Sequence, residues 1–464
     1  MSLEGGAVMK RRDSCSSAFG VTASPTSPGG DSTVSALHFD VSTPSHGGKA
    51  RPASVLGPAA WTWGWGEFGR LGHGDTVSCL EPAALSHDAV AGAVLIACGG
   101  HHSVAVTPDG EVLAWGWGSE GQLGLSGSSD QLTPAVVRSL GGHRITFAAC
   151  GYYHTVVISD GGALFAWGKG SSGQLGTGDV LSAASPRPIT ALRQQEVVHV
   201  SCGMAHTLAV TVSGALYAWG QGADGQLGLG EADEGGETVL SPVCVDALSD
   251  VPLSQTACGA RHSLAVSREG GLFAFGLADD GRLGFGLGDG EEPEGARRLP
   301  LQARLGSGAH VRSVAAGGHH SVIVLEDGEV LTSGWGSYGQ LGHGDSKAST
   351  PTPKLQTPNP NPQDGEDGEV LTCGRGSYGQ LGHGDLKSRG VATSVGALKG
   401  VVVVKVACGD THTLALAITG EVYSWGAGED GQLGLGGNSD SSTPSRVPPR
   451  AFPCFFLYYS RYRS

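Results

Sequence analysis

Short runs in which small and apolar residues alternate recur along the chain. Examples are HTLAV from His206, HSLAV from His262 and HTLAL from His412. This period of two predicts strands of a half-buried sheet. Turn residues such as Ser213-Gly214 come next, then a second strand such as ALYAWG, and later an S/T-P-x-x-V stretch adds another extended piece. The pattern therefore predicts about four short antiparallel strands in each unit and no helix.

Two signatures mark these units and alternate along the chain. One is W-G-x-G-x-x-G-Q-L-G or a variant of it, with its first glycine at 64, 116, 168, 220, 276, 334, 374 and 426. The other is C-G-x-x-H-[ST], which begins at 98, 150, 202, 258, 316 and 408, with Ala in place of Cys at 316. The glycines of the first signature are 52 to 58 residues apart except for one step of 40. A period of about 50 with four strands is typical of a β-propeller blade, because stacked blades cover both faces of each small sheet.

The paired signatures resemble the regulator of chromosome condensation repeat family over residues 59–448. The resemblance implies an all-β fold, a seven-bladed β-propeller of four-stranded antiparallel blades. Members of the family include exchange factors for small GTPases such as Ran, the plant ultraviolet-B receptor, and propellers that act as protein-binding platforms within larger proteins. The resemblance is therefore specific for fold and leaves the function open.

One stretch of the chain is present twice. Residues 326–345 and 366–385 are nearly identical, and without residues 326–365 the spacing becomes regular and seven units remain. We therefore expect a partial tandem duplication, with one copy extruded or forming an incomplete extra blade. The second copy continues into the C-G-x-x-H-[ST] motif at 408 and is the one we expect in the ring. The first copy leads into prolines at 351, 353, 358, 360 and 362, which make a poor strand.

Both ends of the chain depart from the repeats. Residues 1–58 are rich in Ser, Thr, Pro and Gly, so we expect a disordered tail before a propeller over 59–450. The last unit lacks a C-G-x-x-H-[ST] half, and residues 1–58 contain no copy of this motif that could complete the blade. We therefore expect the closing blade to be incomplete. The atypical tail at 451–464 has two explanations, a truncated or altered terminus and an apolar segment that docks on the propeller.

Composition argues against several function classes. Glycine makes up 79 of the 464 residues and charged residues 16%, which suits many turns between short strands. The net charge of -14 argues against a nucleic-acid or anionic-membrane partner, because both repel an acidic surface. We expect no membrane span and no secretory leader, and hence an intracellular, soluble protein of the cytoplasm or nucleus. Its ten cysteines are then expected to be reduced thiols.

The repeated polar residues indicate structural roles. A ring spreads one histidine per unit around its axis, whereas metal ligands converge on one ion. We expect structural hydrogen bonds from His102, His154, His206, His262, His320 and His412, and packing from Cys98, Cys150, Cys202, Cys258 and Cys408. The glycines of the first signature lack the context of a nucleotide loop and are expected at positive φ or at close approaches. No nucleophile, base and orienting group stand together, so we predict no catalysis, no metal and no cofactor.

The resemblance leaves three functions to weigh. The ultraviolet-B receptor of this family senses light with tryptophans at the third position of C-G-x-x-H-[ST], as the resemblance implies. None of the six copies in this chain has Trp at that position; the residues there are Gly100, Tyr152, Met204, Ala260, Gly318 and Asp410. Ultraviolet-B reception therefore ranks third. Guanine-nucleotide exchange on a small GTPase is the alternative, although the acidic insertions GLGEADEGGETVLSP and FGLGDGEEPEGARRLP favour solvated loops over a protruding wedge. We favour a non-catalytic protein-interaction platform.

The partner site is expected where residues vary on a fixed frame. The two variable positions of C-G-x-x-H-[ST] are GH, YY, MA, AR, GH and DT in the six copies. We predict that a protein partner contacts His101, Tyr152, Tyr153, Met204, Arg261, His319 and Asp410.

Overall fold

The structure is a computed structural model of the 464-residue chain. The residues it describes are 34–37; 60–278 apart from 88–89, 91–92 and 231–237; 283; 296–302; 310–326 apart from 319; 330–334; 371–374; 389–394; 398; 401–448 apart from 402, 409–411, 418 and 427; and 455–459. Residues 285–295 of the second acidic insertion and most of residues 1–59 lie outside these ranges, and the first insertion does so at 231–237.

The described residues form 29 strands and four one-turn 3₁₀ helices. The strands before the first complete blade are β1 (Val34–Leu37), β2 (Ala60–Gly64) and β3 (Cys79–Ala84). The next eight are β4 (Leu95–Cys98), β5 (His102–Val106), β6 (Val112–Gly116), β7 (Gln131–Val136), β8 (Ile145–Cys150), β9 (His154–Ser159), β10 (Leu164–Gly168) and β11 (Ala183–Pro188). They are followed by β12 (Val197–Cys202), β13 (His206–Thr211), β14 (Leu216–Gln221), β15 (Thr238–Cys244), β16 (Leu253–Cys258), β17 (His262–Ser267), β18 (Leu272–Leu277) and β19 (Ala296–Gln302).

The remaining strands are β20 (Val311–Ala316), β21 (His320–Leu325), β22 (Val330–Gly334), β23 (Leu371–Gly374), β24 (Arg389–Ser394), β25 (Val403–Cys408), β26 (His412–Ala417), β27 (Val422–Gly426), β28 (Ser441–Arg446) and β29 (Phe455–Tyr459). The 3₁₀ helices are Glu67–Gly69, Arg138–Leu140, Thr190–Leu192 and Asp246–Leu248.

Five sheets of the described residues are complete blades, each a four-stranded antiparallel meander of consecutive strands. They are β4–β7, β8–β11, β12–β15, β16–β19 and β25–β28. The predicted all-β propeller with four-stranded antiparallel blades is confirmed. The complete blades number five and not the seven predicted, because one further sheet recruits both ends of the chain and another is divided where the sequence is duplicated.

Successive blades are joined through buried tryptophans. Five tryptophans of the W-G-x-G signature are 0% exposed: Trp63, Trp115, Trp167, Trp219 and Trp425. The indole Nε1–H of Trp167 donates to the main-chain oxygen of Gln122 in the preceding blade, 2.8 Å away. Trp115 and Trp219 make the same bond to Arg70 and Gln174. These tryptophans therefore form part of the core between blades.

Glycine is required where the backbone of one blade approaches the tryptophan of the next. Gly124 has a φ of +70°, and a Cβ there would lie 2.8 Å from Nε1 of Trp167. The predicted need of these glycines for positive φ or close approach is confirmed at this position.

The innermost strands of neighbouring sheets lie side by side. In order they are β1, β4, β8, β12, β16, β20 and β25, and β25 again contacts β1. These seven strands therefore line the axis of the propeller.

The sheet that contains β2 is completed by both ends of the chain. Its strand order is β1-β29-β2-β3, and β29 runs parallel to β2 and antiparallel to β1. The expectation of an incomplete closing blade is therefore wrong, since the apolar sequence FFLYY fills the second position of this sheet without the C-G-x-x-H-[ST] motif. Val34–Leu37, within the segment expected to be disordered, pairs with β29 as a strand. The tail at 451–464 thus contributes the strand β29 to this sheet.

The duplicated sequence supplies two strands. In the first copy β22 pairs with β21, with Gly334 opposite His320, and in the second copy β23 pairs with β24. Both strands are thus in sheets, and β22 contacts β23. The expectation that the first copy is the misfit is not met at β22, because the first copy follows β21 directly and closes the shorter hairpin. The proline run of the first copy lies outside the described residues.

Candidate protein-interaction site

Both signature motifs form loops at the same end of the propeller. In a four-stranded meander the turn between strands 1 and 2 and the turn between strands 3 and 4 lie at one end, opposite the turn between strands 2 and 3. The C-G-x-x-H loops make the first of these connections and the W-G-x-G loops the second. We call this end the motif face; its described loops are 65–78, 99–101, 117–130, 151–153, 169–182, 203–205, 222–230, 259–261, 317–318 and 428–440.

The recurrent histidine of each unit is bonded to the next blade beneath this face. Nε2 of His102 lies 2.8 Å from Oγ1 of Thr155, and that hydroxyl donates to the main-chain oxygen of Gln122 at 2.9 Å. Because the hydroxyl proton is used on the carbonyl, the hydroxyl oxygen accepts from Nε2–H of the histidine, which assigns a neutral imidazole protonated on Nε2. The structural role predicted for the histidines is confirmed for the described ones, with equivalent contacts at His154–Thr207, His206–Ser263 and His262–Ser321.

Burial keeps these motif residues uncharged. Burial lowers the pKa of His102, His154 and His206 to about 3 each. It raises the pKa of the Cys258 thiol to about 12, and those of Cys150 and Cys202 well above their usual value. These thiols are therefore protonated packing groups and not nucleophiles.

A glutamine holds the turn of most W-G-x-G loops. Oε1 of Gln122 accepts from the backbone N–H of Glu120 at 3.0 Å. The same two-residue bond is made by Gln174, Gln226 and Gln432. In the first loop Arg70 occupies the equivalent position, and a guanidinium accepts no hydrogen bond.

The Arg70 side chain organises a different arrangement. It is 0% exposed, its Nε donates to the main-chain oxygen of Glu67 at 2.9 Å, and its Nη2 donates to Nδ1 of His101 at 2.8 Å. Because His101 accepts at Nδ1, its proton is on Nε2, which donates to the Tyr152 hydroxyl at 3.2 Å. The backbone at Phe68 has a φ of 61°, a left-handed value that the structure gives to none of the matching residues Glu120, Ser172 and Asp224.

Four aromatic side chains lie above this buried base. They are Trp65, Phe68, Trp117 and Tyr153, all half-buried, and together we call them the aromatic patch. The ring centroids of Phe68 and Trp117 are 5.9 Å apart, and those of Trp117 and Tyr153 are 5.2 Å apart. These distances are typical of packed aromatic pairs. The patch therefore presents ring surface to solvent on a rigid support.

Two cations contact rings of the patch. The Arg70 guanidinium lies 4.1 Å from the centre of the Trp65 ring, and Nζ of Lys169 lies 4.9 Å from the centre of the Tyr153 ring. Nζ of Lys169 is also 3.7 Å from Oε1 of Glu120, and both side chains are about one-third exposed. The rings are thus arranged with faces available to positive charge.

The predicted contact residues have different environments. His101 is 5% exposed and Tyr152 1% exposed, so both support the patch from beneath. Tyr153, Met204 and Arg261 are half-buried in three successive C-G-x-x-H loops. Nη1 of Arg261 lies 3.5 Å from Oδ2 of Asp224. The structure thus brings His101, Tyr152 and Tyr153 together and places the other two farther around the ring; His319 and Asp410 lie outside the described residues.

Sequence reasoning missed the contribution of the W-G-x-G loops. Trp65, Trp117 and Lys169 occupy the variable third position of that motif, and Phe68 a variable position before Gly69. The partner site was expected at the variable positions of the C-G-x-x-H-[ST] motif. The same expectation applied to the variable positions of the W-G-x-G motif would have indicated these four residues.

The motif face is acidic. Its described loops contain nine acidic residues against three basic ones, one of which is the buried Arg70. The acidic residues are Glu67, Asp75, Glu120, Asp130, Asp179, Asp224, Glu429, Asp430 and Asp440. Hydrogen bonds from Arg187 lower the pKa of Asp179 to about 2, which keeps this carboxylate ionised.

The described residues contain neither a metal-binding cluster nor a membrane-spanning helix. Within those ranges no group of three or more His, Cys, Asp or Glu side chains is placed to hold a metal ion. No helix in the described part of the chain has the length and apolar character needed to span a bilayer.

Comparison with known proteins identifies the family. The model of the RCC1-like domain matches residues 59–364, and that of the regulator of chromosome condensation (RCC1) repeat matches 367–416 and 419–452. The chain is 33% identical to the ultraviolet-B receptor UVR8 of Arabidopsis thaliana over 404 residues, which cover 87% of this chain and 80% of the receptor. It is 32% identical to the human E3 ubiquitin-protein ligase HERC2 over 356 residues, 76% of this chain but 6% of that protein.

A solved structure has the same fold. The crystal structure of Prp20p from Saccharomyces cerevisiae matches with a TM-score of 0.65 at 24% identity, over 86% of this chain and 90% of Prp20p. With both signatures, the propeller and these matches in agreement, the chain belongs to the family of regulator of chromosome condensation (RCC1) repeat proteins.

Proposed function

We propose that this protein is a non-catalytic protein-interaction platform whose partner binds the motif face. One observation carries the proposal. The two motifs use their recurrent His, Ser/Thr and Trp side chains for buried hydrogen bonds between blades. The variable positions of the motifs instead supply the half-buried side chains Trp65, Trp117 and Tyr153. A rigid frame with variable surface residues is the usual construction of a binding site.

The acidic motif face favours a protein partner over nucleic acid or an anionic membrane. The named relatives differ in activity: UVR8 is an ultraviolet-B receptor, HERC2 an E3 ubiquitin-protein ligase, and the Prp20p structure was described together with its binding to Gsp1p and histones. Such diversity on one architecture supports a scaffold whose partner is chosen by surface residues. We place the protein in the cytoplasm or nucleus.

We also propose that the ring has seven positions, five occupied by complete blades and two by irregular sheets. The circular order of the innermost strands from β1 through β25 and back to β1 supports this count. The irregular positions are the sheet of β1, β29, β2 and β3, and the neighbouring sheets of β20–β22 and β23–β24.

The platform is tested by site-specific photo-crosslinking in cells that make the protein. A photo-reactive amino acid replaces Tyr153 on the motif face or, as the control, Val212 in the turn between β13 and β14 at the opposite end. We expect protein crosslinks from Tyr153 and none from Val212. Crosslinks from Val212 alone would overturn the assignment of the partner to the motif face.

Two further assays test the alternatives. The protein is mixed with a panel of small GTPases loaded with fluorescent nucleotide, and faster nucleotide release from any of them would replace the platform by exchange activity. The protein is also irradiated with ultraviolet-B during size-exclusion chromatography. A shift from dimer to monomer would instead favour light reception.

A further inference from the structure

We propose that the aromatic patch and its acidic border bind an arginine- or lysine-bearing segment of the protein partner. This inference rests on the proposed function and specifies the chemistry of the partner. It concerns Trp65, Phe68, Trp117 and Tyr153, together with the carboxylates of Glu67 and Glu120.

The patch is preorganised for binding. Its rings come from two W-G-x-G loops and one C-G-x-x-H loop and stand on buried Arg70, His101 and Tyr152, which are joined by hydrogen bonds of 2.8 and 3.2 Å. His101 also packs edge-on against Trp117, with ring centroids 5.4 Å apart. Little side-chain freedom is left to lose when a partner arrives, which favours binding.

Charge selects the occupant. A partner with acidic or phosphate groups meets nine carboxylates on the described motif face, as does a second copy of this face, so both are repelled. A basic segment is attracted to the same charges. Glu67 and Glu120 are half-buried in the same loops as Phe68 and Trp117, so a cation over the rings comes close to a carboxylate.

The partly exposed cation of Lys169 already contacts the aromatic patch and can be displaced. Lys169 lies 4.9 Å from the Tyr153 ring centre and 3.7 Å from Glu120, but its side chain is 35% exposed. An ion pair this exposed contributes little stability, so it is displaced easily. A guanidinium of the partner makes the same two contacts and stacks on the rings as well. Lys169 therefore acts as an internal competitor for the site.

The test uses a fluorescein-labelled peptide of alternating arginine and glycine, with a peptide of alternating glutamate and glycine for comparison, measured by fluorescence anisotropy with the full chain. We expect the basic peptide alone to bind, and binding to weaken as salt is raised. Glu120→Gln, which keeps the shape of the side chain, should weaken binding about threefold to tenfold, and Trp117→Ala by a similar factor. Lys169→Met should tighten it, an effect that a purely structural role of Lys169 does not produce.

The matched controls are Glu111→Gln and Asp250→Asn, exposed carboxylates at the opposite end of the propeller, which should leave the affinity unchanged. The midpoint of unfolding shows whether the Trp117→Ala variant is folded. If that variant is unfolded, the affinity of Glu120→Gln for the basic peptide tests the inference alone. Equal affinity of Glu120→Gln and the parent chain, or tighter binding of the acidic peptide, would overturn the inference. If the peptide result fails but Tyr153 crosslinks a protein in cells, the proposed platform is supported and only the basic chemistry of its partner is wrong. If the peptide result fails and Tyr153 gives no crosslink, both proposals are wrong.

Discussion

The indole nitrogen of Trp63 donates a hydrogen bond to the main-chain oxygen of Gln432, 3.0 Å away, across 369 positions of the chain. Trp115 makes the equivalent bond to Arg70 between neighbouring units, at 2.9 Å. The contact that joins successive blades therefore also joins the last repeat to the first. The backbone N–H of Gly436 also donates a hydrogen bond to the main-chain oxygen of Leu80, 3.0 Å away, across the same junction.

Trp63→Phe is expected to open this junction, because it keeps an aromatic ring but removes the N–H donor and leaves the Gln432 oxygen without it. The free energy of unfolding should fall by about 1–3 kcal/mol in urea titrations. Trp115→Phe is the matched control and should lose a similar amount. A neutral Trp63→Phe beside a destabilised Trp115→Phe would contradict closure through Gln432.

Gly124→Ala tests the close approach of backbone to tryptophan. The added methyl group would lie 2.8 Å from Nε1 of Trp167 at a φ of +70°, so both contact and backbone are strained. We expect a loss of about 2–4 kcal/mol in the free energy of unfolding. Gly127→Ala in the same loop has open space around its Cβ and should change stability by less than about 0.5 kcal/mol. Equal effects of the two substitutions would show that the approach to Trp167 is not limiting.

Acid should destabilise the propeller through its buried histidines. The folded-state pKa values of His102, His154 and His206 are about 3, below the ordinary 6.5, so the unfolded chain binds more protons once the pH falls below about 6.5. The stability from neutral burial is complete above pH 6.5 and is lost progressively as the pH falls towards 3. Each histidine contributes a slope of up to about 1.4 kcal/mol per pH unit, roughly 4 for the three.

Urea titrations at several values between pH 7.5 and 5 measure this slope. His154→Gln should lower stability at pH 7.5, since it disrupts the bond to Thr207, yet reduce the slope by about one-third. Constant stability between pH 7 and 5 would contradict the assignment of neutral histidines.

The frame of the propeller could be predicted from sequence because its determinants recur. Strand alternation, the tryptophans and the bonded histidines return at regular spacing, so a residue such as Trp167 or His154 has a predictable environment once the unit is recognised. β29 could not be predicted, since FFLYY carries no repeat signature and its parallel pairing with β2 depends on contacts between opposite ends of the chain. Its apolar and aromatic composition favours a strand, but not a particular neighbour.

The candidate binding site was predictable in part. Tyr153 followed from variation within the C-G-x-x-H loops, whereas its contact with Trp117 joins two motifs from adjacent blades. The environment of His101 and Tyr152 was not predictable from those motifs, because His101 is bonded to the arginine at position 70, where Gln122 and Gln174 stand in later loops. The contacts of these two residues thus depend on a side chain of a neighbouring loop.

Arg70 provides a direct test of that dependence. Arg70→Ala removes the donor to Nδ1 of His101 and leaves a cavity beneath Trp65, so we expect a loss of about 3–5 kcal/mol in the free energy of unfolding. Arg70→Gln introduces the side chain that holds the other loops, where Oε1 of Gln122 accepts from the N–H of Glu120. It should therefore cost less stability than Arg70→Ala, while tryptophan fluorescence reports a looser patch. If Arg70→Gln were as destabilising as Arg70→Ala, the glutamine turn would be incompatible with Phe68 in this loop, and the first repeat would depend on arginine specifically.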